Sequence, residues 1–215
     1  LNNNAVVNGN FNMTAGKFAL NGKQLTLKGP FTMGTGSAFS SNLTSTLVID
    51  GPVNSTATLS IESGSSISKL TIDRPGMIKI ANALNIAGEL NLIDGPLSIE
   101  TNGMITMNAG SKVHVEHGTI VLNSGTVVGT SSYNVEYMGA MDVTAGVEMG
   151  GSGLNNVTVN YVNSTNKVIL NGNSSIAGNL NMTKGKLDLN GKNLILNGTI
   201  SQNSTSKFMG NTASE

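Results

Sequence analysis

The chain has no cysteine and no tryptophan, a single arginine, 4% aromatic and 11% charged residues in a length of 215. Without cysteine there is no disulfide, no thiolate metal site and no cysteine nucleophile. Acidic and basic residues number 12 each and never run together, so the charge pattern offers no footprint for nucleic acid or an anionic membrane surface. No apolar run approaches membrane-spanning length, so no membrane insertion is expected, and no signal peptide follows Leu1. Low charge would suit disorder only if apolar residues were scarce too, and at 38% they are not. Helix is also disfavoured: no segment carries a 3.6-residue period, and Asn, Gly, Ser and Thr are dense throughout.

What the chain does have is short alternation at fixed spacing. In residues 178–198, GNLNMTKGKLDLNGKNLILNG, the apolar residues fall in pairs: Leu180 and Met182, Leu187 and Leu189, Leu194 and Leu196. Each pair shares one face of a short strand, and the Gly, Asn and Lys between pairs supply turns such as Asn190-Gly191. Three seven-residue steps make one coil of about 21 residues. Residues 9–29, GNFNMTAGKFALNGKQLTLKG, match this stretch at 14 of 21 positions, and residues 86–110 form a looser copy. The flanks match as well. The pattern predicts tandem modules of about 80–90 residues: a partial module over 1–68, a complete one over 69–153 and a partial one over 154–215. Since the chain begins and ends inside a module, the expectation is a piece of a longer protein.

The fold expected is all-β: a right-handed parallel β-helix, or β-solenoid, of short strands with about 21 residues per rung. Its core should be a continuous column of Leu, Ile, Val and Met, with Gly and Asn at the corners and Asn stacked on Asn in ladders. Inward pairs continue through Phe11/Met13, Leu25/Leu27, Ile78/Ile80, Leu90/Leu92, Ile120/Leu122, Met141/Val143 and Val147/Met149. Residues 34–45 read as a loop or irregular edge, and residues 131–153 as a strand-rich joint between modules.

The wording of the repeats points to a family. Gly153-Leu154-Asn155-Asn156-Val157-Thr158-Val159-Asn160, Ile176-Ala177-Gly178-Asn179-Leu180-Asn181-Met182 and Tyr133-Asn134-Val135-Glu136-Tyr137 resemble the repeat regions of very large secreted proteins of Bacteroidota. The resemblance covers nearly the whole chain. It implies a type-nine-secreted, surface-anchored adhesin or filament, extracellular and at the cell surface, used for gliding, attachment or seizing other cells. The C-terminal sorting domain of that family is not in this sequence.

Candidate chemistry is sparse. His114-Val115-Glu116-His117 is the one cluster of ligand-type residues, with His114 and Glu116 on the outward face of a strand and no third zinc ligand at suitable spacing. Asp50, Asp73, Asp94, Asp142 and Asp188 are scattered, and Asp at a turn is the plain reading, without a calcium-loop signature. The acceptor-like triplets at Asn12, Asn42, Asn54, Asn156, Asn163, Asn181 and Asn203 follow from a composition with 30 Asn. No catalytic, cofactor-binding or metal residue is assigned, and no enzyme is expected. The expected role is a shaft or spacer in an adhesin or surface filament. Its partners would be neighbouring modules of the same chain, with bundling into a homo-oligomer as a further option. The alternative is a carbohydrate-binding or carbohydrate-cleaving β-helix, which calls for paired acids or a charged cleft.

Overall fold

The computed structural model describes residues 1–129 and 132–210, and it is a parallel β-solenoid of about ten turns. The physical cause is the two-residue alternation. A three- or four-residue strand can bury only one face, so each apolar pair turns inward and stacks on the pair one rung below. Each rung has three sides. On the first, Ala5, Leu25, Leu47, Leu70, Leu90, Val113, Val135, Val157, Leu180 and Ile200 lie in register. Those spacings run from 20 to 23 residues per rung. Among the described residues every paired strand is parallel, and helix is confined to one short 3-10 turn, Val147–Met149.

The core is the predicted column, from Leu20 and Leu25 through Ile78, Leu90 and Val115 to Met182 and Leu187. Two of the Asn-Gly steps build corners as expected. Asn21 and Gly22 (φ 53° and 74°), like Asn190 and Gly191 (φ 48° and 70°), adopt left-handed backbone in tight turns. Asn ladders are also present. The Asn134 Oδ1 accepts from Asn156 N (3.2 Å), the Asn156 Oδ1 from Asn179 N (2.8 Å), and the Asn179 Oδ1 from Thr199 N (3.0 Å). One corner is thus stitched through four successive rungs by side chains.

The three sides are unequal. The first carries one unbroken ladder through all ten rungs. The second is split into three. One ladder joins Phe11–Met13 to Phe31–Met33, another runs from Ala57–Leu59 to Thr119–Leu122, and a third begins at Val143–Thr144. On the third side Met104–Met107 pairs with Thr126–Gly129, and the next rung is the 3-10 turn instead of a strand.

Four local expectations change. Residues 34–45 include a strand, Ala38–Ser40, whose Phe39 is fully buried, because Phe39 fills the core beneath Ile61. Leu122 and Met141, read as inward, are 43% and 55% exposed, since Leu122 borders the second interruption and Met141 lies in the bend before Val143–Thr144 and not in a strand. Val147–Met149, read as a strand pair, is helical. Leu180 and Leu187 belong to one nine-residue strand, Leu180–Asp188, that turns a corner at Gly185 (φ 103°).

Candidate functional site

The ligand-type residues singled out in the sequence lie along the outside of the solenoid. His114 Nε2 lies 3.2 Å from Glu116 Oε1 and its Nδ1 3.5 Å from Glu136 Oε2. Lys112 Nζ bridges Glu136 (2.8 Å) and Glu89 (3.2 Å), and Lys69 pairs with Glu89 at 2.8 Å. This is a lattice of ion pairs along the outside of the first side. The Glu136 hydrogen bond, working against desolvation, raises the pKa of Lys112. His117 lies in the turn beyond, its N–H given to the Ile93 carbonyl (3.1 Å). Among the described residues no three His, Asp or Glu groups come together in a way that would hold a metal ion.

The Asp residues are more ordered than turn chemistry alone requires. Asp50, Asp73 and Asp94 end three successive strands in register, forming a row. Burial, then Asp50, Asp94 and Glu116, push the Asp73 carboxyl above its ordinary range. Asp142 accepts from Lys167 N (3.0 Å), and Asp188 pairs with Lys167 Nζ at 2.8 Å.

The feature that alternation did not disclose lies inside. Glu148 is 2% exposed, and its side chain points into the core. Its Oε1 accepts from the Tyr137 hydroxyl (2.7 Å) and from Gly146 N–H (2.7 Å), while the Tyr133 hydroxyl donates to the Glu148 carbonyl (2.7 Å). Oε2 has no partner. Burial pushes the carboxyl above its ordinary range, opposed by the Tyr137 and backbone donors, and the same burial raises Tyr133 and Tyr137. Tyr161, the third and last tyrosine, is buried beside them and bonds the Lys167 carbonyl (3.2 Å). The 3-10 turn explains the inversion. At three residues per turn, Val-Glu-Met no longer alternates across a sheet, so the middle residue is free to face inward. Gly146 is needed there, because a Cβ would stand 2.6 Å from Glu148 Oε2 and 2.9 Å from the Ile120 carbonyl. The available signal was compositional: all three tyrosines fall between 133 and 161, next to a glycine-flanked Val-Glu-Met.

Beside this turn, where the second side breaks, lies an open cleft of about 420 Å³. Its walls are Thr119–Leu122, residues 144–147, Met149, Gly150 and residues 170–173. They supply hydroxyls, amides, backbone and aliphatic surface, with no acid or aromatic ring among them.

Compared with protein-family models, with curated proteins and with solved structures, the chain matches none.

Proposed function

We propose that the chain is a structural shaft or spacer segment of a large repetitive extracellular adhesin or surface filament that mediates attachment. The observation that carries this reading is the first side, a single parallel ladder through ten rungs over one apolar column. Such a stack transmits load along its axis through backbone hydrogen bonds, each rung adding about 4.8 Å, so ten rungs span roughly 50 Å. Neighbouring modules of the same chain are its natural partners, because further rungs would extend the same ladder. The outer surface, rich in Ser, Thr and Asn and neutral overall, lets shafts lie side by side without repulsion. The wording of the repeats adds the type-nine-secreted, cell-surface setting.

A carbohydrate-cleaving β-helix would place acids around a sugar-binding cleft, and the cleft beside Val147 has walls of another kind. Electron microscopy of the protein in multi-module form, with surface labelling of intact cells, tests the proposal. The expected result is thin rods whose length grows with module number and which are reached by label from outside. Globular particles, or protein reached only after lysis, would overturn it.

A further inference from the structure

We propose that Glu148 is a proton-operated latch on the rung where the second and third sides are broken. With its carboxyl neutral, the Val147–Met149 turn is held in the core; with it ionised, the turn is released toward the adjoining cleft and the shaft loosens there.

The first support is hydrogen-bond supply. A carboxylate offers about four acceptor positions, and here only Oε1 is served, by Tyr137 and Gly146, while Oε2 is buried and bare. The titratable groups facing it are Tyr133 and Tyr137, with Tyr161 behind Tyr137, and none of them carries positive charge. Among the described residues no Lys, Arg or His makes an ion pair with it. Ionised, the group is therefore an uncompensated charge in the core. Neutral, it needs an acceptor for one proton. The Ile120 carbonyl faces the same point beside Gly146 as Oε2 does. Thr119 and Asn123 give their N–H groups to the rung below, which turns the Ile120 peptide toward the break. A protonated Oε2 would thus tie the upper edge of one ladder to the rung above it.

The second support is local weakness. Among the described residues only the first-side ladder is continuous at this rung, and the turn is held by a few bonds: Tyr133 to the Glu148 carbonyl, Ser174 Oγ to the Met149 carbonyl (2.6 Å), and Glu148 itself. The third is room, since Gly146, Val147, Met149 and Gly150 already line the 420 Å³ cleft. The direction of the pH effect follows. Burial raises the carboxyl's pKa in the fold, so its stabilising contribution is complete below the unfolded-state value and is lost as pH rises through the folded value.

The molecule carries its own reporter. With no tryptophan, with Tyr133 and Tyr137 bonded to Glu148 and with Tyr161 buried next to Tyr137, tyrosine fluorescence reports chiefly on this part of the shaft. Acrylamide quenching of tyrosine, together with hydrogen exchange corrected for its intrinsic pH dependence, is followed from acid to neutral pH in the wild type and in Glu148→Gln. The wild type should show a several-fold rise in quenching and in exchange over residues 143–150, with residues 84–92 unchanged. Glu148→Gln should stay protected throughout. If Glu148→Gln does not fold, Tyr137→Phe replaces it: losing a donor to the ionised form should move the transition to higher pH. A wild type without a transition, an equal transition in Glu148→Gln, or an unmoved midpoint in Tyr137→Phe would overturn the latch.

Discussion

The Arg74 guanidinium lies 5.9 Å from the centre of the Phe31 ring, where the second side loses its ladder for the first time. Its Nε and Nη2 donate to the carbonyls of Val53 (3.3 Å) and Ser55 (3.0 Å), and the residue is 1% exposed. Among the described residues no carboxylate pairs with it. Each interruption of the second side therefore has one buried ionisable residue beside it, Arg74 at the first and Glu148 at the second. At the first, a planar fork replaces missing strand pairing by holding the loop carbonyls of residues 53–55 over the core.

Arg74→Lys should accordingly be worse than Arg74→Met. Lysine keeps a buried charge but presents no planar fork and is more strongly hydrated, so a loss of about 2–3 kcal/mol is expected. Methionine removes the charge along with the donors and fills the space, for a loss of about 1–2 kcal/mol. Urea unfolding of both variants decides the point. A lysine variant as stable as wild type would show that the fork is not what closes this gap.

On the second side, Leu187 points inward and is fully buried, while Asp188 points outward to Lys167. Leu187→Asp should cost about 3–5 kcal/mol, from the lost packing and an unpaired buried acid. Asp188→Ser should cost under about 1 kcal/mol, and Asp188→Lys somewhat more because it opposes Lys167. The pH dependence has a definite sign. The Lys167 hydrogen bond holds the Asp188 carboxyl below its ordinary value, so this pair stabilises above the unfolded-state value and fades as pH falls. Melting curves in which positions 187 and 188 are equally sensitive would reverse the inward assignment.

Alternation at seven-residue steps is enough to specify strands, turns and core, because every step meets the same two-faced burial problem. It does not specify phase. Leu25 and Leu194 occupy equivalent places in the two best-matched repeats, yet Leu25 stacks on Leu47 on the first side and Leu194 on Ser174 on the third. Seven-residue steps are interchangeable among three sides, so a repeat can rotate by one side and still turn its apolar pairs inward. Glu148 escaped for a different reason. Val147-Glu148-Met149 has the pattern of a strand with its acid outward, and only the 3-10 geometry turns the acid in. Arg74 carries no signal in the alternation, because neither its burial nor the loop it holds leaves a periodic trace. Local pattern encodes the rungs; the breaks depend on what neighbouring rungs fail to supply.

The Asn corner should contribute stability rung by rung. Asn179 Oδ1 accepts from both Thr199 N (3.0 Å) and Thr199 Oγ1 (2.9 Å), and Asn179 N donates to Asn156. Asn179→Ala leaves the Thr199 groups to water and should cost about 1 kcal/mol, with faster amide exchange at residue 199 and in Ile200–Gln202. Asn181→Ala, on the adjoining strand and without a ladder bond of this kind, serves as the comparison. Equal losses at 179 and 181 would mean that the ladder adds nothing beyond composition.

The acid row on the opposite corner makes the remaining prediction, and its sign is unfavourable. Asp50, Asp73 and Asp94 repeat at the rung spacing of about 4.8 Å, with Glu116 acting on the same group. Lys28 approaches only the end of the row, 3.5 Å from Asp50. Burial and the flanking acids raise the Asp73 carboxyl, so its charge weighs against the fold and does so more as pH rises through its folded value. Asp73→Asn keeps the shape and removes the repulsion, and should stabilise the protein by about 0.2–1 kcal/mol at neutral pH and by nothing in acid. Thermal melts should be the same with and without a chelator. The opposite pair of results, a lower melting temperature after chelation and a destabilising Asp73→Asn, would mean that a divalent cation neutralises the row and that these strand-end acids are ligands, not neighbours in conflict.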